Sequence, residues 1–241
     1  MDERNAFMAN IRKALGKSSS DSRSPEQCSD IFTSENNDKV IDRISSRTRA
    51  ERQTLLRQFQ ENATQVNLIV HVDASFSAAA RTIVNIVQNS EPEFNGTRQI
   101  IQHDHPDIEA LELSKELGGE EVILHTTVAN DSQIREKTIS SYIGITSPSW
   151  GVADSATVVQ LTLAGQPRST SLVPSIHIGV IRLENILADL TELYALLHRN
   201  PPTSSSVFIS GPSKTGDIEA HLVYGAHGPK TMHIIVINPS F

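Results

Sequence analysis

From residue 66 onward the chain alternates between short β-branched runs and longer stretches with helical spacing, and this alternation limits the folds open to it. The runs VNLIVHV (66–72), RQIIQH (98–103), EVILH (121–125), YIGIT (142–146), TVVQLTL (157–163), SIHIGVIRL (175–183), SVFIS (206–210) and MHIIVI (232–237) read as strands. Residues 75–89, 107–118, 131–140, 185–198 and 215–224 read as helices between them. Strand, helix and strand in succession make a crossover. The expected fold is therefore α/β, a mostly parallel sheet flanked by helices. Residues 142–183 depart from the pattern. Three strands there leave little room for helices, which predicts antiparallel pairing or a hairpin.

The chain ahead of this region has a different texture. Phe7, Met8, Ile11 and Leu15 recur at helical spacing within residues 1–17, an N-terminal helical extension. Residues 18–39, SSSDSRSPEQCSDIFTSENNDK, are poor in apolar groups and read as a flexible linker. Residues 1–39 are thus set apart from an α/β domain over 40–241, which opens with a charged helix at 40–63. A formal charge of −7 gives no basic surface for nucleic acid. The single cysteine, Cys28, cannot hold an iron–sulfur cluster, which usually takes four thiolates. The N-terminus lacks the apolar core of a signal peptide. Residues 139–167 carry one charge, Asp154, but are too rich in Gly, Ser, Thr and Pro for a membrane span. A cytoplasmic location is expected.

Ligands of open α/β sheets sit beyond the carboxyl ends of the strands, so the turns after strands are where chemistry is sought. In SPSWGVADSATVVQL (147–161), Asp154, Ser155 and Thr157 could face one cleft; an ordinary Asx or Ser turn would use the same residues. In AGQPRSTSLVPSIHIGVI (164–181), Arg168 is the only base between Lys137 and Arg182. Its guanidinium fork suits a carboxylate or phosphate, or an ion pair with Asp154. His177 lies in the following strand, either a satisfied buried histidine or a site residue. After strand 206–210, Gly211-Pro212-Ser213 leads into the expected helix, with Ser213 or Thr215 as its N-cap. Asp217 and Glu219 in its first turns complement the helix dipole and would repel a phosphate. GPSKTG also lacks Walker spacing. His221, His227 and His233 have no recognised zinc spacing, and His103 and His105 read as solvated, so no metal site is expected.

Three blocks together resemble the LUD-domain family, in particular its lactate utilisation protein C branch. Ser210-Gly-Pro-Ser-Lys-Thr-Gly-Asp-Ile-Glu219 followed by Gly225-Ala-His-Gly-Pro229 is similar to SGPS-x-TADIE…G-x-HGP. Arg168…Ser171-Leu-Val-Pro174…His177-Ile178 resembles R-x-x-SLLP-x-x-HI. Gly151-Val-Ala-Asp-Ser-Ala-Thr157 resembles G-I-AETGT, with Asp154-Ser155-Ala156 where that block has Glu-Thr-Gly. The resemblance implies a fold like that of the sugar-phosphate isomerases and CoA-transferases. It also implies an accessory role in oxidising L-lactate to pyruvate beside two partner proteins, the A and B components, which carry the iron–sulfur clusters; no cofactor is expected in this chain.

On this reading a small carboxylate ligand is held by Arg168, and Asp154 or His177 moves a proton. Ser155, Thr157, Ser171 and Ser213 orient the ligand. Ser210, Gly211, Thr215, Asp217, Glu219, Gly225, His227 and Gly228 form a wall of the pocket. Two other classes stay open: a stand-alone transferase, isomerase or hydrolase, and a metabolite-sensing module.

Overall fold

Six of the β-branched runs lie side by side in one parallel sheet. The computed structural model describes residues 3–14, 16, 36–92, 96–118, 121–200, 204–218 and 221–239. In chain order its elements are α1 (Glu3–Ala14), α2 (Asn37–Ser45), α3 (Arg49–Gln65), β1 (Ile69–Asp73), α4 (Phe76–Gln88), β2 (Arg98–Gln102), α5 (Pro106–Glu109), α6 (Leu113–Glu116), β3 (Val122–Thr126), α7 (Ile134–Ser140), β4 (Ile143–Thr146), β5 (Trp150–Val152), β6 (Thr157–Leu161), α8 (Ser169–Leu172), β7 (Ile176–Arg182), β8 (Ile186–Leu187), α9 (Leu190–Arg199), β9 (Ser206–Ile209), β10 (Lys214–Ile218), β11 (His221–Tyr224) and β12 (Thr231–Ile237). Most of the linker expected over 18–39 lies outside the described residues; its last three residues are helical.

Packing divides the chain into Met1–Lys39 and Val40–Phe241. In the first unit, α1 carries Arg12 and Lys13 in its last turn, where they suit the negative end of the helix dipole. Its Phe7, Met8 and Ile11 are exposed. In the second unit the central sheet has the order β1-β12-β7-β4-β2-β3, with every neighbouring pair parallel. Strands covered on both faces read as continuous apolar runs, as β7 and β12 do. On one face Ile100, Ile143, Ile145, Ile178, Val180, Ile235 and Ile237 pack against Ala79, Ala80, Ile83 and Val87 of α4, and against Ile108 and Leu113 of α5 and α6. Each such isoleucine contributes about 1.5–3 kcal/mol by leaving water.

The other face carries a second layer. Ile181, Met232, Ile234 and Val236 pack against Leu56, Phe59 and Ala63 of α3 and against Val158 of a smaller sheet. That sheet has the order β8-β5-β6-β9, and β5, β6 and β9 are antiparallel neighbours. This is the hairpin expected within 142–183. Its outer face is closed by Leu193 of α9 against Val152, Val159 and Leu187.

Four helical expectations change: residues 107–118 break into α5 and α6 at Glu112, which is left-handed, and residues 185–198 open with β8 before α9 begins at Leu190. Residues 40–63 form two helices, because Thr48 and Glu51 make a reciprocal capping box that restarts the helix at Arg49. Residues 214–224 are a β-hairpin, β10 against β11, with Lys214 opposite Tyr224 and Thr215 opposite Val223. Gly216 is a poor helix former, and Thr215, Val223 and Tyr224 prefer an extended chain. Ser213 and Thr215 therefore cap no helix, and Asp217 lies in strand β10. Glu219 lies outside the described residues.

Candidate functional site

The predicted site residues fall into three groups, most of them at the amino-terminal edge of the central sheet. The first group is a chain of hydroxyls. Thr157 Oγ1 lies 2.6 Å from Ser210 Oγ and donates to Ser155 Oγ at 2.9 Å. Asn62 of α3 donates to the carbonyls of Ala153 and Asp154 at 2.9 and 3.0 Å, which ties the β5–β6 turn to the helix. The Asp154 side chain is on the exposed part of this turn. Ala156 completes it at φ 48°, buried in the layer between sheet and helix. A side chain in the left-handed region costs about 1–2 kcal/mol, so the glycine of the resembled block would suit this backbone better.

The second group is the tail motif. Gly211 adopts φ +86°, and a Cβ there would sit 2.3 Å from the Val66 carbonyl oxygen at the end of α3. The glycine therefore lets the strand exit lie directly on the helix end. Ser213 N–H donates to Pro229 O at 2.8 Å, Gly225 N–H to Ser213 O at 3.0 Å, and His227 N–H to Ser213 Oγ at 3.3 Å. Gly228 lies against Ser213 and the Leu172 carbonyl. The glycines, prolines and hydroxyls of this motif thus stitch two turns together beside α8.

The third group lies beneath them, between the central sheet and the loop carrying α8. A Cβ on Gly144 would come within 1.9 Å of the Thr170 carbonyl oxygen, so only glycine lets α8 rest on β4. Arg168 stands exposed at the start of α8, and its carbonyl accepts from the buried Ser171 Oγ at 3.0 Å. It makes no ion pair with Asp154. His177 is fully buried, its register partner on β4 is Gly144, and its Nε2 lies 2.8 Å from Thr146 Oγ1.

His103 was expected in solvent but is buried, because β2 carries it beneath the 162–167 loop; its Nε2 lies 3.2 Å from Pro167 O. A carbonyl only accepts, so Nε2 carries the proton and Nδ1 is the bare acceptor. Burial pushes His177 down to about 3, helped by His103 and His233, and pushes His103 down to about 4. Both rings are neutral across ordinary pH.

This seam holds polar atoms that have no hydrogen-bond partner among the described residues: His103 Nδ1, His177 Nδ1, Thr170 Oγ1 and both side-chain polar atoms of Gln160. Gln160 follows Val158 by two on β6, so it turns toward the same side, facing the central sheet. A buried polar group left unsatisfied costs about 1–3 kcal/mol, so such groups call for water or a ligand. Thr146, Thr170, Gln160 and His103 had not been singled out as site residues. Alternation tells which residues share a face of a strand, and it does not tell that a second layer covers that face. Among the described residues no three His, Cys, Asp or Glu side chains form a metal-ligand group. No described helix is long and apolar enough to cross a membrane.

Known proteins resemble this chain in sequence and in fold. It is 30% identical over 175 residues to Lactate utilization protein C of Halalkalibacterium halodurans, covering 70% of this chain and 74% of that protein. It is 37% identical over 109 residues to Lactate utilization protein C of an Exiguobacterium species, covering 43% and 47%. The crystal structure of a DUF162 family protein from Deinococcus radiodurans superposes with a TM-score of 0.54 at 19% identity, over 78% of this chain and 98% of that one, a likeness of fold. The sequence model of the LUD domain matches residues 56–237, which takes in both sheets and the tail motif, and the chain belongs to that family.

Proposed function

We propose that this protein is a component of a lactate-utilisation system and binds a small carboxylate beside α8. The observation that carries the reading is the match, over 70% of the chain, to a protein named for lactate utilisation. The chemistry around α8 supports the binding half. Arg168 offers a forked cation in a segment with no other base, and guanidinium matches a carboxylate with two parallel hydrogen bonds. Ser155, Thr157 and Ser210 offer hydroxyls that accept and donate in turn. His177 stays neutral at physiological pH, so within this reading it acts as a hydrogen-bonding group in the floor of the site, and Asp154 is the group available to take up a proton.

The oxidation itself needs an electron acceptor, and one cysteine cannot supply a cluster. Iron–sulfur partner proteins, the A and B components, take the electrons in this reading. The test is L-lactate-dependent dye reduction by the chain alone and mixed with those partners. Activity in the mixture that disappears when this chain is omitted supports the role, and Arg168→Ala should then abolish carboxylate binding. Full activity without this chain, or unchanged affinity in Arg168→Ala, overturns it.

A further inference from the structure

At the opposite edge of the central sheet, beyond the carboxyl ends of β7 and β12, lies a cleft of about 300 Å³ that the tail motif and α8 do not touch. It is lined by Arg47, Arg49 and Arg52 from the α2–α3 junction, and by Glu184, Asn238 and Pro239 from the segments leaving β7 and β12. The geometry points to a binding site for a small oxyanion, phosphate or carboxylate, that also carries a hydroxyl group.

Four observations build the site. First, its place is right: ligands of parallel sheets bind beyond the carboxyl ends of the strands. Its volume is that of a small-metabolite pocket. Second, its walls are held. Arg47 pairs with the buried Glu192 at 2.5 Å, and Arg49 Nη2 donates to the Pro239 carbonyl at 2.8 Å. Third, Arg52 is oriented but not neutralised. Its Nε donates to the Arg47 carbonyl at 3.3 Å, and its Nη groups have no hydrogen-bond partner among the described residues. A guanidinium anchored through Nε and left with two parallel Nη donors is the fork that two oxyanion oxygens fit.

The fourth observation sets the rest of the ligand. Glu184 adds a carboxylate to the lining of the same cleft. A carboxylate repels an anion and accepts from a hydroxyl, so the ligand needs its hydroxyl on that side. Asn238 Oδ1 already accepts from Gln53 Nε2 at 3.0 Å, which leaves its amide N–H groups as donors to the same ligand.

Calorimetric titration of the full chain with glycerol 3-phosphate, L-lactate and inorganic phosphate tests this. The expected result is millimolar or tighter binding of at least one hydroxylated anion, weakened about tenfold or more in Arg52→Ala and only partly restored in Arg52→Lys, which keeps the charge without the fork. Glu184→Gln should narrow the preference for the hydroxylated anion over inorganic phosphate. Melting curves identify a variant that fails to fold, and Arg52→Gln then serves in place of Arg52→Ala. Absence of binding by both hydroxylated anions overturns the proposal, as does glycerol 3-phosphate binding that survives the loss of Arg52. L-lactate binding that Arg168→Ala removes and Arg52→Ala spares assigns lactate to α8, and glycerol 3-phosphate must then bind the cleft for it to stand.

Discussion

The two faces of the central sheet solve the same packing problem with different chemistry. On the face under α4, α5 and α6, the charged and imidazole groups that approach the core are paired, while Gln102 Oε1 has no hydrogen-bond partner among the described residues. Arg182 meets Asp107 through two nitrogens, the shortest contact 2.6 Å, and His71 stacks on His233 with ring nitrogens 3.1 Å apart. On the face under the smaller sheet, His103, His177, Thr170 and Gln160 keep polar atoms with no partner among the described residues. Unsatisfied groups of this kind weaken a fold, and proteins keep them where they serve something other than stability. Most of the unpartnered polar atoms among the described residues lie on the second face, and groups of this kind call for water or a ligand.

The largest test of this contrast is Gly144→Ala. The added carbon meets a backbone oxygen, so either α8 lifts or β4 shifts. A loss of about 3 kcal/mol or more is expected in urea unfolding, against near zero for an alanine on the exposed side of α7. A loss below about 1 kcal/mol would mean that α8 rests only loosely on the sheet.

Acid comes next. The folded protein holds His177 and His103 neutral down to about 3 and about 4, whereas an unfolded chain protonates them near the ordinary value of 6.5. Unfolding therefore takes up protons, and their contribution is fully present above pH 6.5 and is lost as pH falls, to about 4 for His103 and to about 3 for His177. The slope is at most about 1.4 kcal/mol per pH unit for each histidine. His233, which falls to about 4 through burial, adds to it from the other face. Unfolding free energies at pH 7, 6 and 5 should show His177→Gln with a shallower slope than the parent; parallel slopes would mean that His177 is hydrated.

The smallest effect expected is a gain. Gln160→Met keeps the volume and removes two orphaned polar atoms, which should stabilise by about 1 kcal/mol. An equal loss would reveal a partner, water or ligand, already bound to Gln160.

Much of this architecture was readable in advance. The six parallel strands and the exceptional stretch at 142–183 follow from where β-branched runs stand close together and where helical spacing separates them. The failures have physical causes. Thr48 and Glu51 were legible as a capping box, but the apolar spacing of Val40, Ile41, Ile44, Leu55 and Leu56 carried one helix through the break. In 214–224 the carboxylates suggested a helix start, while pairing across the β10–β11 turn decides the conformation. Gln160 in TVVQL looks like a solvent-facing position, and only the second layer turns that side inward. Arg47, Arg49 and Arg52 sit across a loop–helix junction, where no single period puts them on one face.

The place of β12 bears on how the chain comes to be folded. This last strand of the domain lies between β1 and β7, and it is the partner that gives β1, the first strand, its place in the sheet. During synthesis β2, β3, β4 and β7 can assemble as they emerge, and α3 has Ile181 and Val158 to pack on, but β1 waits for the end of the domain. Such distant pairing slows folding and leaves an open strand edge in the growing chain. Chains cut before Thr231 should stay bound to chaperones, because the gap between β1 and β7 has no substitute occupant.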